Sequence, residues 1–355
     1  MRALAFPAAF SGPLALTVVL MSIVVALYLT RAFARRQRRD DRRAARALLH
    51  LMRGILRDEP WSDRMARAAA HADAGTFWGA LERLALGPDR RGLPRLAAML
   101  DRNPHVKAEH RCLRDDSPWR RELAARRLGL LPSPRSRRML RRALRRGPEA
   151  VSLAAGHALA RARDRAALRW LLAHPPLLAG RSRRALVDLL SAYGRRGLPE
   201  IAAAFERGLG VATLELAAID VLGRGGYRGA RDRFEQLSSG GTLEQRVAAA
   251  RALGMLQAVE CATSLLVALR DEAWQVRAQA ARALGRVRAP IAITALAGRL
   301  TDSSWWVRRH AAYALGMLGQ EGREALHRVA QTSPDPYARD MAREVLEGGF
   351  HRDVA

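Results

Sequence analysis

The sequence predicts an all-α chain: a right-handed α-α superhelical solenoid preceded by a single transmembrane helix. Three observations predict it. Thr301 to Gly316, TDSSWWVRRHAAYALG, repeats Arg270 to Gly285, RDEAWQVRAQAARALG, at a step of 31 residues. Apolar residues fall at helical spacing in these segments, and no stretch sustains period-two alternation, so helices without a sheet are expected. Pro13 to Leu29 holds no charged residue. With Gly12 and Thr30 it is long enough to cross a hydrocarbon core about 30 Å thick.

Taken in order, residues 1–12 are expected to form a short non-cytoplasmic tail and 13–30 the transmembrane helix. Only Arg2 precedes the span, whereas Arg31, Arg35, Arg36, Arg38, Arg39, Arg42, Arg43 and Arg46 follow it. That asymmetry places the N-terminus outside and the solenoid in the cytoplasm, in a single-pass protein of the inner (cytoplasmic) membrane. No small-x-small cleavage site follows the span, which argues against a signal peptide. Residues 31–60 read as an Arg-rich juxtamembrane stem, with Leu48, Leu51, Met52, Ile55 and Leu56 on one helical face. Anionic lipid headgroups are the expected neighbours of this stem.

Glu59-Pro60 breaks the stem, and short helical patterns then alternate with Gly, Pro and Asp to the C-terminus. Expected helices run over 62–72, 75–86, 93–101, 118–130, 135–146, 148–161, 164–173, 182–193 and 198–207. They continue over 211–223, 228–237, 243–255, 258–269, 273–287, 290–300, 303–317, 322–331 and 335–347. Leu222, Leu253, Leu284, Leu315 and Leu346 keep a 31-residue step, as do Ala218, Ala249, Ala280, Ala311 and Ala342. Arg246, Arg277, Arg308 and Arg339 share it, and so do Gly223, Gly254, Gly285 and Gly316. The register weakens toward residue 115. Hence 115–355 is assigned to the solenoid and 61–114 to a degenerate N-terminal cap covering its exposed end.

The unit resembles the HEAT repeat, in the Ala-rich form met in bacterial HEAT-like proteins and phycobilisome lyases. The residues that carry the resemblance are Pro290 to Asp302, Val307-Arg308, Ala311-Ala312 and Ala314-Leu315-Gly316. It implies two antiparallel helices per unit, an outer helix A over 290–300 and a helix B over 303–317 lining the concave face. Val276, Ala280 and Leu284 share one face of helix B and should be buried. Gly285 and Gly316 suit the left-handed conformation that ends a helix. Asp271 and Asp302 should cap B helices, with Arg277 and Arg308 meeting those acids in a ladder along the array.

Composition narrows the chemistry less than the fold. The net charge is +27, and Lys107 is the sole lysine among 61 basic residues. Codon usage in a GC-rich genome explains arginine over lysine, but the excess charge still suits an anionic surface. Cys112 and Cys261 form no CxxC pair, so neither a disulfide framework nor a zinc module is indicated. His105, His110 and Cys112 stand at one-turn spacing, but Arg111 and Arg114 crowd them with positive charge. No metal, cofactor or catalytic residue is assigned, and an enzyme is not expected.

Binding residues are sought where B helices vary between units. Arg251, Arg282 and Tyr313 occupy one repeat position, two before the repeated leucine, and Gln279 lies five before it. Trp305, Trp306 and Arg309 join them as the departures of one unit from its neighbours. Aromatics and arginines dominate protein hot spots. A second, anionic-surface patch comprises Arg35, Arg36, Arg38, Arg39, Arg138, Arg141, Arg142 and Arg145. The leading expectation is a membrane-tethered scaffold binding a protein partner, itself membrane-associated, such as a glycosyltransferase it would serve as accessory subunit. Nucleic acid or anionic lipid on the Arg-rich surface is the alternative, and a bilin-lyase-like enzyme is a third.

Overall fold

The computed structural model describes residues 45–54, 63–87 and 92–348, with Met21, Tyr28 and Arg43. Among them helices are joined by short turns, and there is no strand. Contacts divide the chain into two compact units between Met139 and Leu140.

In the first unit the helices are α1 (Asp63–His71), α2 (Ala74–Leu86), α3 (Leu93–Leu100), α4 (Pro104–Cys112) and α5 (Pro118–Leu128). Phe77, Leu81, Leu96, Leu100, Val106 and Leu128 make its core. Helix α4 was not expected from the periodicity. It is specified by its start: the Asn103 carboxamide accepts from the His105 N–H at 2.9 Å, and Pro104 takes the first turn, where no amide donor is needed. Helix α6 (Pro134–Arg146) runs through the boundary.

The second unit is a regular two-layer array. Its helices are α7 (Glu149–Arg161), α8 (Arg165–Leu172), α9 (Arg183–Ser191), α10 (Leu198–Glu206), α11 (Ala212–Arg224), α12 (Arg231–Gly240) and α13 (Leu243–Leu256). They continue as α14 (Ala262–Ala268), α15 (Trp274–Val287), α16 (Ile293–Gly298), α17 (Trp305–Met317), α18 (Gly319–Thr332) and α19 (Pro336–Leu346). Each odd-numbered helix packs on the next odd one, from α7 through α19, and forms the B layer. Even-numbered helices form the A layer; α12 packs on α14 and α16 on α18. Val276, Ala280, Leu284, Val307, Ala311 and Leu315 are fully buried between the layers, as their spacing requires.

The repeated glycines do something other than end helices. Gly254 and Gly285 lie inside α13 and α15; the left-handed residues there are Gln257 and Arg288. A Cβ on Gly254 would stand 2.7 Å from the Ala283 Cβ, and one on Gly285 2.8 Å from the Ala314 Cα. Gly223 meets Ala252 in the same way, at 2.9 Å. Each glycine thus lets one B helix lie against the alanine of the next. The sequence spacing is the same for both roles, so periodicity alone could not separate them.

The expected ladder forms, with one exception. Arg246 Nη2 donates to Asp271 Oδ1 at 3.1 Å, and Arg277 grips both carboxylate oxygens of Asp302. Each acid also accepts a backbone N–H at the start of its own B helix, from Ala273 at 2.8 Å and Ser304 at 3.0 Å. Arg308 has no acid to meet, because Ser333 stands where the next aspartate would be. It donates instead to the Asp302 carbonyl at 2.8 Å and lies 5.4 Å from the Tyr337 ring centroid. Arg339 repeats the backbone half of the pattern, donating to the Ser333 carbonyl at 2.8 Å.

The expected location as a single-pass inner-membrane protein is corrected by the structure. No helix among the described residues is long and apolar enough to cross a membrane. The longest solenoid helices have 14 residues, or about 21 Å of rise, against a core of about 30 Å. The expected span at 13–30 lies, apart from Met21 and Tyr28, outside the described residues.

Candidate partner-binding surface

The exposed side of the B layer is built from one residue per helix at each repeat position. Two residues before the repeated leucine the array presents Asp220, Arg251, Arg282, Tyr313 and Glu344. Around this row the chemistry changes from charged to aromatic.

At the charged end, Asp220 is buried. Arg183 Nε donates to its Oδ2 at 2.8 Å, and Arg251 Nη1 stands 3.9 Å from its Oδ1. Arg183 Nη2 is buried without a hydrogen-bond partner. Arg282 is exposed and Arg286 half-buried; among the described residues neither has an ion pair. Burial works against the charge of Arg251; Asp220 offsets this, while Arg183, Arg282 and Arg224 add to it. Burial likewise disfavours the Arg286 charge, and Arg282 and Arg251 add repulsion.

His310 joins the two ends. Its burial, with the charges of Arg282 and Arg309 beside it, holds the imidazole down at about 4, so it is neutral at pH 7. The Trp306 ring stacks near it, with centroids 6.4 Å apart.

At the aromatic end, Trp305, Arg309 and Tyr313 follow one another at four-residue intervals on α17. The Arg309 guanidinium carbon lies 5.1 Å from the Trp305 ring centroid and 4.9 Å from that of Tyr313. Trp306 meets Trp305 edge-on at 4.8 Å. Glu344 on α19 closes the row, 3.7 Å from Arg309 and accepting from the Tyr313 hydroxyl at 3.4 Å. Trp305 and Trp306 remain 43 % and 51 % exposed, so α17 offers apolar ring surface to solvent. Leu243 and Trp274 stand at the corresponding starts of α13 and α15 and are also exposed.

Residues 262–347 match the family model of HEAT repeats. The match covers α14 to α19, so the A and B helices that carry the aromatic end are HEAT pairs. No curated protein matches the chain. Among solved structures, human deoxyhypusine hydroxylase in complex with glycerol is 17% identical with a TM-score of 0.30, over 86% of this chain and 96% of that one. Kap121p is 13% identical with a TM-score of 0.40, over 85% of this chain and 45% of its own. At such scores these likenesses carry no argument about activity or partner.

The residues chosen from sequence divide unevenly. Arg251, Arg282, Trp305, Trp306, Arg309 and Tyr313 fall on the row or directly beside it, and Gln279 is half-buried on α15. Arg138, Arg142 and Arg145 are exposed on α6. Arg141 is committed elsewhere, to a charge-assisted pair with buried Asp164 at 2.6 Å. Arg35, Arg36, Arg38 and Arg39 lie outside the described residues. The repeat comparison marks neither Arg183 nor Arg286. Arg286 follows the repeated leucine by two residues and could have been found from the register, whereas Arg183 sits where the period slips. His105 and His110 are tied into the fold: His105 Nε2 pairs with the Ala72 carbonyl at 2.8 Å, and His110 Nε2 with Ser136 Oγ at 3.0 Å. Among the described residues no three metal-ligating side chains cluster.

Proposed function

We propose that the chain is a non-enzymatic scaffold that binds a protein partner on the exposed side of its B layer. One observation carries this reading: Trp305, Trp306, Arg309 and Tyr313 pack together on α17, with the two tryptophan rings turned to solvent and Arg309 and Tyr313 half-buried behind them. Three of the four are not repeated, since Trp306, Arg309 and Tyr313 correspond to Gln275, Ala278 and Arg282 of α15; Trp305 alone has a counterpart, Trp274. Rings already ordered by a guanidinium lose little conformational freedom on binding, and desolvating them supplies most of a hot spot's energy.

The test is recovery of a partner by the tagged full chain. One protein retained at a constant ratio, and lost with Trp305→Ala combined with Tyr313→Ala while the melting temperature is kept, supports the scaffold. Recovery of nucleic acid alone, released at moderate salt, overturns it.

A further inference from the structure

The charged end of the B-layer row is short of acids. Arg183, Arg251, Arg282 and Arg286 come from three helices of the layer, α9, α13 and α15; α13 and α15 are neighbours, and α11 lies between α9 and α13. One carboxylate, Asp220, serves them, and it is bound to Arg183 and near Arg251. Neighbouring packed helices stand about 8–10 Å apart, so guanidiniums 31 residues apart form a line at that spacing. Arg251 and Arg286 are partly withdrawn from water; Arg251 shares Asp220 with Arg183 at 3.9 Å, and Arg286 has no ion pair among the described residues, so its charge is costlier than that of a surface arginine. One buried nitrogen, Arg183 Nη2, already lacks an acceptor.

We infer that Arg251, Arg282 and Arg286 take an extended acidic segment of the partner, whose carboxylates pair with these guanidiniums alongside the ring of Trp306. This rests on the protein-binding reading above and names the chemistry of what is bound. Alternate side chains of an extended peptide are about 6.6 Å apart, shorter than the step between helices, and the long arginine and glutamate side chains take up the difference. Planar guanidiniums favour the bidentate pairing a carboxylate offers. Neutral His310 carries the surface from Arg282 to Trp306 without adding charge. A nucleic-acid strand is the poorer fit because exposed Glu344 closes the row beyond Tyr313, so a longer run of phosphates would meet a carboxylate.

The experiment uses fluorescence anisotropy with the full chain and three labelled probes: a peptide alternating glutamate and serine around one tryptophan, its glutamine counterpart, and an oligothymidylate of equal charge. The glutamate peptide should bind more tightly than both others. Arg282→Ala combined with Arg286→Ala should weaken it by about tenfold or more, as loss of charge-assisted hydrogen bonds requires. Arg323→Ala combined with Arg328→Ala, both exposed on the A-layer helix α18, should leave it unchanged. Equal binding of the glutamine peptide, tighter binding of the oligonucleotide, or indifference to the Arg282/Arg286 pair overturns the inference. Native partner still recovered through Trp305 and Tyr313 in any of those outcomes would leave the scaffold standing and remove only the acidic segment.

Discussion

Arg277 holds Asp302 across the step between consecutive repeats, Nε to Oδ2 at 2.8 Å and Nη2 to Oδ1 at 2.9 Å. The carboxylate is 3 % exposed and the guanidinium side chain 13 %. Burial pushes the Asp302 carboxyl up, but hydrogen bonds from Arg277 and the Ser304 N–H, with the charges of Arg277 and Arg299, leave it below 3.8. Asp302→Ala strands a buried arginine and should cost about 3 kcal/mol, read from urea unfolding. Asp302→Asn keeps an acceptor for Ser304 and should cost less. A loss under about 1 kcal/mol for the alanine variant would mean that the ladder contributes little.

The acid sensitivity of the fold should have two windows. His310 is depressed to about 4 from 6.5, so the unfolded chain binds the extra proton between those values. Stability contributed by the neutral ring is complete above 6.5 and declines as pH falls toward 4. Asp302, also depressed, has its contribution present above 3.8 and loses it as pH falls through its lower folded value. The melting temperature of His310→Gln should therefore fall less between pH 7 and 4.5 than that of the parent. An unchanged slope would show that His310 is not held neutral.

Glycine at the B-layer contacts is a steric requirement. Gly254→Val places carbon into the Ala283 Cβ, 2.7 Å from the position of the new Cβ, and should destabilise by about 1–3 kcal/mol. Gly79→Ala, with nothing within 4 Å, should instead stabilise by up to about 1 kcal/mol through helix propensity. Thermal melts of the two variants moving the same way would refute the packing role.

Binding and folding should separate on α17. Trp305→Ala removes a ring that is 43 % exposed, so unfolding stability should change by about 1 kcal/mol or less. Partner recovery should fall by about tenfold or more if the ring is a hot spot. A large stability loss with partner recovery intact would make Trp305 a packing residue.

How far the sequence could be read depended on what repetition encodes. Leu284 and Leu315, with Ala280 and Ala311, announced both period and burial, because a side chain facing a neighbouring repeat must fit the same space each time. The Arg277–Asp302 pair was legible for the same reason. Gly285 was misread since a helix end and a close helix contact both select glycine. Asp220 and Arg183 escaped because their pairing crosses a unit whose register slips, so no fixed spacing marks it. Helix α4 escaped because its specification lies in one Asn-Pro start rather than in a periodic face.

The glycine and alanine contacts also have a mechanical consequence. From Gly223 to Ala314 each B helix bears on the next through side chains with almost no compressible volume, so the step between units is set by backbone against backbone. Such a joint cannot close further; it can only open. Partner-induced bending of this part of the array should accordingly proceed by splaying B helices apart, and one added methyl at a single joint would swing the outlying repeats as a lever does.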